Sequence, residues 1–344
     1  MTALQRNPHF KPRPRRDYSL DEYVAGIRAG DRVILSRAIT RVESNNPAHQ
    51  DLAQEIVKAC LPYSGASLRV GITGVPGVGK STFIEASGRY LIEEQGYRLA
   101  VLAIDPSSSK QGGSILGDKT RMQTLSVHER AFIRPSPSAG SLGGVARKTR
   151  ESILLCEAAG YNLIFVETVG VGQSETAVYD MVDCFLLLML SGAGDQLQGI
   201  KRGIMEMADL IAITKADGSN QLKARAAARE YAAAVHLMPQ AEHGQVTSVL
   251  TCSALDGEGI DRVWQAVINF CARNKTSGFL AANRRRQARN WMHQSIQEQL
   301  LGSFYQNSDL AALVQEYETR VVNAELNPFE AARELLNRFA ASRS

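Results

Sequence analysis

The chain has 344 residues, 44% hydrophobic and 22% charged, which fits one large α/β domain with smaller appendages, or two domains. Its net charge of +4 includes five basic residues and no acid within residues 1–16 (Arg6, Lys11, Arg13, Arg15, Arg16), so 4 − 5 leaves about −1 for the body and no field that would attract nucleic acid. No apolar run approaches the roughly 18 residues of a membrane span, and the start lacks the apolar segment of a secretory signal. Cys60, Cys156, Cys184, Cys252 and Cys271 are scattered and form no CxxC or Cys/His cluster. That argues for a reducing, cytoplasmic setting and against a transition metal held by the protein.

Residues 1–17 are basic and proline-containing and are expected to form a disordered tail. From Tyr18 to about residue 65, apolar residues recur at helical spacing (Tyr23, Val24 and Ile27; Ile34, Ala38 and Val42; Leu52 and Ile56), with breaks at Gly30-Asp31 and Asn45-Asn46-Pro47. This predicts a helical N-terminal extension. Between 66 and 276, short apolar runs alternate with helical patterns. The runs are Leu68–Thr73, Leu99–Ile104, Ala131–Ile133, Leu163–Val166, Cys184–Leu190, Leu210–Thr214 and Val249–Thr251. Strands spaced by helices predict βαβ units and a mostly parallel sheet covered on both faces. From 277 to 344 the pattern becomes helical again: one stripe runs from Trp291 to Phe304 and another from Leu310 to Val322. Asn327-Pro328 then reads as an N-cap and first helical residue. Three such helices bury little alone and need the α/β body or a second copy to pack on.

The strongest chemical signal is Gly74-Val75-Pro76-Gly77-Val78-Gly79-Lys80-Ser81-Thr82, which fits GxxxxGK[ST] between a strand and a helix. The glycines let backbone N–H groups turn around a β-phosphate, and the helix aims its positive end there. Lys80 is expected to bridge β- and γ-phosphates and Ser81 to bind Mg²⁺. Glu167, at the end of the fourth apolar run, stands where such enzymes carry a second acid, and Gly170 can reach the γ-phosphate with its N–H. Val171 follows, where a Ras-like enzyme has the Gln that orients water, so unaided hydrolysis should be slow. Asp105 ends the second run, and Asp118 lies in GGSILGDKTRM. Both are candidates for the Mg²⁺ shell or the attacking water, at the sheet edge where ligands bind.

A base-reading element follows the sixth run, in Thr214-Lys215-Ala216-Asp217. In NKxD the Asp accepts hydrogen bonds from guanine N1–H and N2–H₂. Adenine offers neither donor there, so ATP leaves the acid unpaired. Thr214 replaces the usual Asn; its hydroxyl can bond to backbone but reaches less far. Ser253-Ala254-Leu255, after the seventh run, is the expected partner loop facing the guanine O6. One further loop, SGAGDQLQGIKRG (Ser191 to Gly203), matches no phosphate or base signature. Its glycines permit two backbone arrangements, and Asp195, Gln198 and Lys201 offer polar contacts that could differ between them, as a switch requires.

Together these residues resemble the MeaB/ArgK family, GTPases related to the human methylmalonic aciduria type A protein. The similarity runs from about Tyr18 to the C-terminus and is close at GVPGVGKST, DPSS, GGSILGDKTRM, RPSPSAGSLGG, ETVGVGQSE, GDQLQGIKRG, KAD and TCSAL. The resemblance implies a P-loop NTPase of the SIMIBI branch that binds GTP or GDP with Mg²⁺ and forms a homodimer through its C-terminal arm. It implies a chaperone of an adenosylcobalamin-dependent acyl-CoA mutase, most often methylmalonyl-CoA mutase. Such a chaperone gates cofactor loading and protects or reactivates the mutase, and the cobalamin belongs to that client. Asp105, Asp118 and Glu167 match the family's acidic residues around Mg²⁺ and the hydrolytic water, and the loop with Gln198 and Lys201 matches a third switch. Two alternatives share the P-loop core: a nickel or zinc metallochaperone GTPase, and a P-loop kinase linked to arginine/ornithine transport.

Overall fold

The computed structural model describes residues 17–44, 46–104, 122–135, 142–168, 174–192 and 202–342. Three helices open it: α1 (Leu20–Arg28), α2 (Arg32–Glu43) and α3 (Pro47–Cys60). Each start is built by a polar side chain that satisfies otherwise orphaned N–H groups. Ser19 and Glu22 form a reciprocal capping box, Asp31 accepts from Val33 and Ile34, and Asn46 accepts from Ala48 ahead of Pro47. The two breaks in the helical pattern are therefore caps. Tyr23, Ile27, Leu35, Ile39 and Ile56 are buried in the main core, with α2 and α3 resting on α6 (Leu142–Ala158).

Seven parallel strands form one sheet in the order β3-β2-β4-β1-β5-β6-β7. They are β1 (Leu68–Gly74), β2 (Leu99–Ile104), β3 (Ala131–Arg134), β4 (Leu163–Thr168), β5 (Cys184–Met189), β6 (Leu210–Ile213) and β7 (Ser248–Thr251). Every residue of β2, β4, β5 and β6 is buried, as strands covered on both faces must be. Right-handed crossovers sort the helices. The leftward connections through α4 (Lys80–Glu93) and α5 (Gln123–Val127) lie on one face. The rightward ones through α6, α7 (Ser174–Tyr179), α8 (Arg202–Met207) and α9 (Gln221–His236) lie on the other. After β7, α10 (Ile260–Thr276) returns to the α4 face.

The N-terminal edge of the sheet is closed by buried charge. Glu157, at the end of α6, accepts from Arg69 Nε at 2.9 Å and Nη2 at 3.0 Å, from Ser67 Oγ at 2.6 Å and from Gly65 N–H at 2.7 Å. Asp183, just before β5, accepts from Arg69 N–H at 2.9 Å and from Arg284 Nε at 2.8 Å and Nη2 at 2.6 Å. Arg284 lies on α11 (Phe279–Tyr305), which also donates from Gln287 to Val182 O at 2.8 Å and from Trp291 Nε1 to Asp180 O at 2.9 Å. The single 27-residue helix α11 carries the chain away from the sheet. Beyond it, α12 (Ser308–Val322) and α13 (Pro328–Ala341) pack on each other, and Asn327 caps Phe329 as its N-cap position predicts. All five cysteines are buried thiols. No helix among the described residues is long and apolar enough to cross a membrane.

The Glu157 side chain is 1% exposed. Glu157→Ala therefore strands the Arg69 guanidinium in the core and should cost about 3–5 kcal/mol in urea unfolding. Replacing Arg69 with Met as well should recover part of the loss.

Candidate active site

Three glycines shape the turn after β1, for two different reasons. A Cβ on Gly74 would stand 2.5 Å from Leu188 O and 3.0 Å from Leu188 Cβ, so β1 and β5 approach too closely for any side chain. Gly77 (φ 78°) and Gly79 (φ 88°) have room but adopt the left-handed conformation that L side chains resist. Gly79 is also the N-cap of α4 and offers no capping side chain, which leaves the first-turn N–H groups for another acceptor. Lys80 folds over the turn and donates to Gly74 O at 2.9 Å. Ser81 is half-buried in the first turn, while Pro76 and Gly77 are exposed at the loop's crest and Thr82 is exposed just beyond Ser81.

Glu167 is the penultimate residue of β4, inside the strand and not after it, because the strand runs on to Thr168. It is paired in register with Ile72 of β1 and Ala103 of β2 and is buried. Beside it the Thr73 and Thr168 hydroxyls hydrogen-bond at 2.8 Å, tying the ends of β1 and β4 together. Nothing in the sequence marked that pair. β2 ends at Ile104, opposite Thr168. Asp105, Asp118, Gly170, Asp195, Gln198 and Lys201 lie outside the described residues, as do residues 1–16.

The loop after β6 is joined to the phosphate-type turn through Thr214. Its buried hydroxyl is 2.8 Å from Val78 O and 3.3 Å from Met189 O, at the end of β5. Lys215 is one of two non-glycine residues described with a positive φ, 55°, a conformation that costs on the order of 1 kcal/mol. Asn220 Nδ2 holds it by donating to Lys215 O at 2.6 Å, and Ser191 Oγ reaches Asn220 Oδ1 at 2.8 Å. The strained backbone brings Lys215 Cε to 3.9 Å from where a Gly79 Cβ would be, so the lysine lies over the turn. Asp217 accepts from Ser253 Oγ at 2.8 Å, and Ser253 Oγ accepts in turn from Asp256 N–H at 3.1 Å. Ser253 N–H is engaged by Glu258 O at 2.8 Å. Ala254 is half-buried and the Leu255 side chain points into solvent. Burial pushes the neighbouring Cys252 thiol up to about 12, so it is an inert core group.

A phosphate-type turn, a buried acid on the adjacent strand and a base-type loop thus share one edge. Residues 35–309 match the family described as methylmalonyl-CoA mutase-associated GTPase MeaB. The chain belongs to the MeaB family. It is 50% identical over 320 residues to a probable GTPase of Mycobacterium tuberculosis, covering 93% of this chain and 95% of that one. It is 48% identical to the Escherichia coli GTPase ArgK, covering 92% and 96%. To the mitochondrial methylmalonic aciduria type A homolog of Mus musculus it is 46% identical, covering 93% and 79%. A crystal structure of an LAO/AO transport system kinase superposes with a TM-score of 0.72 at 41% identity, covering 93% and 97%. The protein is thus a GTPase of the MeaB/ArgK group with a P-loop fold, and the turn at Gly74–Thr82 carries the P-loop sequence pattern.

Gly74→Ala and Gly77→Ala separate the two glycine roles. Gly74→Ala must push β1 from β5 and should destabilise by about 2–4 kcal/mol. Gly77→Ala meets only the left-handed penalty, about 1–2 kcal/mol. Denaturant midpoints of the two variants measure the difference.

Proposed function

We propose that this MeaB-family GTPase reads GTP through one connected unit, the P-loop and the Thr214–Asp217 loop, and uses hydrolysis to serve a cobalamin-dependent mutase. The observation that carries the reading is the 2.8 Å bond from Thr214 to Val78 O, which fixes the base loop against the P-loop. In this reading the N–H groups of residues 75–82 cradle the phosphates and Lys80 moves from Gly74 O to the β- and γ-oxygens. Asp217 accepts from guanine N1–H and N2–H₂, while Ser253 Oγ keeps that carboxylate aimed. Because Ser253 N–H is already engaged by Glu258, the N–H groups left for the guanine O6 are those of Ala254 and Leu255.

The donor set suits a hard divalent cation. The Ser81 hydroxyl and the buried Glu167 carboxylate are oxygen ligands on one sheet edge, and Mg²⁺ takes one or two such ligands plus phosphate oxygens and waters. Asp105 and Asp118 complete the proposed set, and Gly170 is assigned to the γ-phosphate. Bound Mg²⁺ would neutralise charge developing on the β- and γ-oxygens. Water attacks the γ-phosphorus, the bond to the β–γ bridging oxygen breaks, and GDP and phosphate leave. Without a water-orienting Gln at Val171, the basal rate is expected to be low and to rise with the client.

The client we propose is an adenosylcobalamin-dependent acyl-CoA mutase, by default the methylmalonyl-CoA enzyme of the family's description. The chain would gate the loading of cobalamin, which belongs to the mutase, and protect or reactivate that enzyme. Asp195, Gln198 and Lys201 are the proposed reporting loop. Units 18–65, 66–276 and 277–344 are the proposed extension, GTPase domain and dimer arm. An apolar groove of about 540 Å³ between α11, α12 and α13, lined by Leu300, Phe304, Val321, Leu335 and Phe339, supports a homodimer through that arm. Nucleic acid and membrane have no part in the proposal.

Lys80→Ala should abolish GTP turnover with the thermal unfolding midpoint unchanged. Wild-type turnover should rise sharply on adding methylmalonyl-CoA mutase. Turnover that persists in the variant counts against the P-loop role, and a flat response counts against the client. ATP should fail to displace labelled GTP at comparable concentration. Thr214→Val, which keeps the shape and loses the hydroxyl, should weaken GTP binding about tenfold, as one lost buried hydrogen bond implies. Competition binding reads both.

A further inference from the structure

The sheet ends in an open strand. β7 pairs with β6 alone, and its four residues are half-exposed where those of β6 are buried. Cys252, directly after it, faces β6: its N–H donates to Ile213 O at 2.9 Å and its carbonyl accepts from Ala216 N–H at 3.1 Å. Successive residues of a strand alternate sides, so Leu250 also faces β6 and the N–H groups of Val249 and Thr251 face outward. No hydrogen bond meets them among the described residues.

A groove of about 350 Å³ follows this edge. One wall is α9, presenting Arg225 and Arg229 from a single face. The other is the turn into α10, with Glu258, and the first turn of that helix, with Arg262. Because α9 and α10 lie on opposite faces of the sheet, the arginines bracket the strand from both sides. None of the three forms a hydrogen bond or ion pair with a described residue. Ser248-Val-Leu-Thr251 itself carries no lysine, proline or buried charge, the usual guards of a free edge. Two copies meeting here would set six guanidiniums against two Glu258 carboxylates, a net positive pairing that disfavours a second copy and favours an acidic strand. Spacing agrees: Arg225 and Arg229, four residues apart, rise about 6 Å along the helix. Alternate side chains of an extended strand are about 6.6 Å apart.

We propose that the β7 edge takes an extended acidic segment of a partner protein as an eighth strand. The segment bonds through its backbone to Val249 and Thr251 and places alternate carboxylates on Arg225 and Arg229, with Arg262 adding positive charge on the opposite face. The groove shares Ala216, Cys252 and Ser253 with the base loop. A docked strand therefore presses on the residue that holds Asp217. That last coupling rests on the guanine reading; the docking does not.

The probe is a fluorescein-labelled ten-residue peptide of alternating Glu and Val, titrated by anisotropy against the full chain. Saturable binding is expected, with hydrogen exchange slowed at Val249 and Thr251. R225E/R229E should weaken it about tenfold. So should N-methylation of one alternate set of peptide amides, the valine set in one variant and the glutamate set in another, whichever faces β7, which removes backbone donors and leaves charge intact. The same peptide with Lys for Glu should not bind. Equal binding of both N-methylated peptides would reduce the site to a charge patch. No saturation by about 1 mM, or slowed exchange elsewhere than β7, would overturn the docking site outright. GTP turnover of R225E/R229E, expected at the wild-type level, shows that the variant is folded.

Discussion

The arrangement depends on β1 being held from below. A strand buried on both faces offers no solvent to its polar ends, so every group at its lower end needs a partner inside the protein. Arg69 supplies two of them at once: its side chain goes to Glu157 and its backbone N–H to Asp183. Glu157 fixes α6, and Asp183 fixes the entry to β5. With the lower end clamped, the upper end has one position, and Gly74 meets β5 at a distance that only glycine permits. The P-loop is thus placed by contacts a full strand length away from it.

The same network recruits the C-terminal helices. Arg284 donates to Asp183, Gly65 O and Ser67 O, and Gln287 and Trp291 continue along α11 to Val182 O and Asp180 O. These residues lie three to seven apart on α11 and form one face of the helix. Asp180 to Asp183 is the short link between α7, which follows the Glu167 segment, and β5, which leads to the loop at Ser191. A displacement of α7 has to carry α11 with it or break these bonds. The C-terminal helices are therefore mechanically joined to the elements that flank the phosphate edge.

What could be read from the sequence follows from the range of the interactions. The seven strands were legible because buried parallel strands are continuous apolar runs, and the start of α13 because the Asn327-Pro328 cap is local. The P-loop was legible because its glycines answer a backbone need within nine residues. The Arg69–Glu157 and Arg284–Asp183 pairs join residues 88 and 101 apart, and sequence pattern carries no sign of them. The Thr73–Thr168 bond and the exposed edge of β7 were hidden for the same reason: both are products of strand order. Glu167 ends an apolar run in sequence while the ladder continues past it, so the pattern places it after a strand that in fact contains it.

Thr214 shows how a departure from a motif redistributes work. An asparagine has two donors and an acceptor on one planar amide, so it can bond the P-loop carbonyl and still face a base. A threonine hydroxyl has a single donor, and here Val78 O takes it, with Met189 O behind. Thr214 therefore keeps the scaffolding half of the role and gives up reach. Under the proposed reading, discrimination between bases falls on Asp217, whose carboxylate is already aimed by Ser253. An acid held in place by a buried hydroxyl is costly to leave without donors, and adenine supplies none. Selectivity is then retained by the group whose desolvation is most expensive, while the substitution at 214 reduces affinity for every base alike.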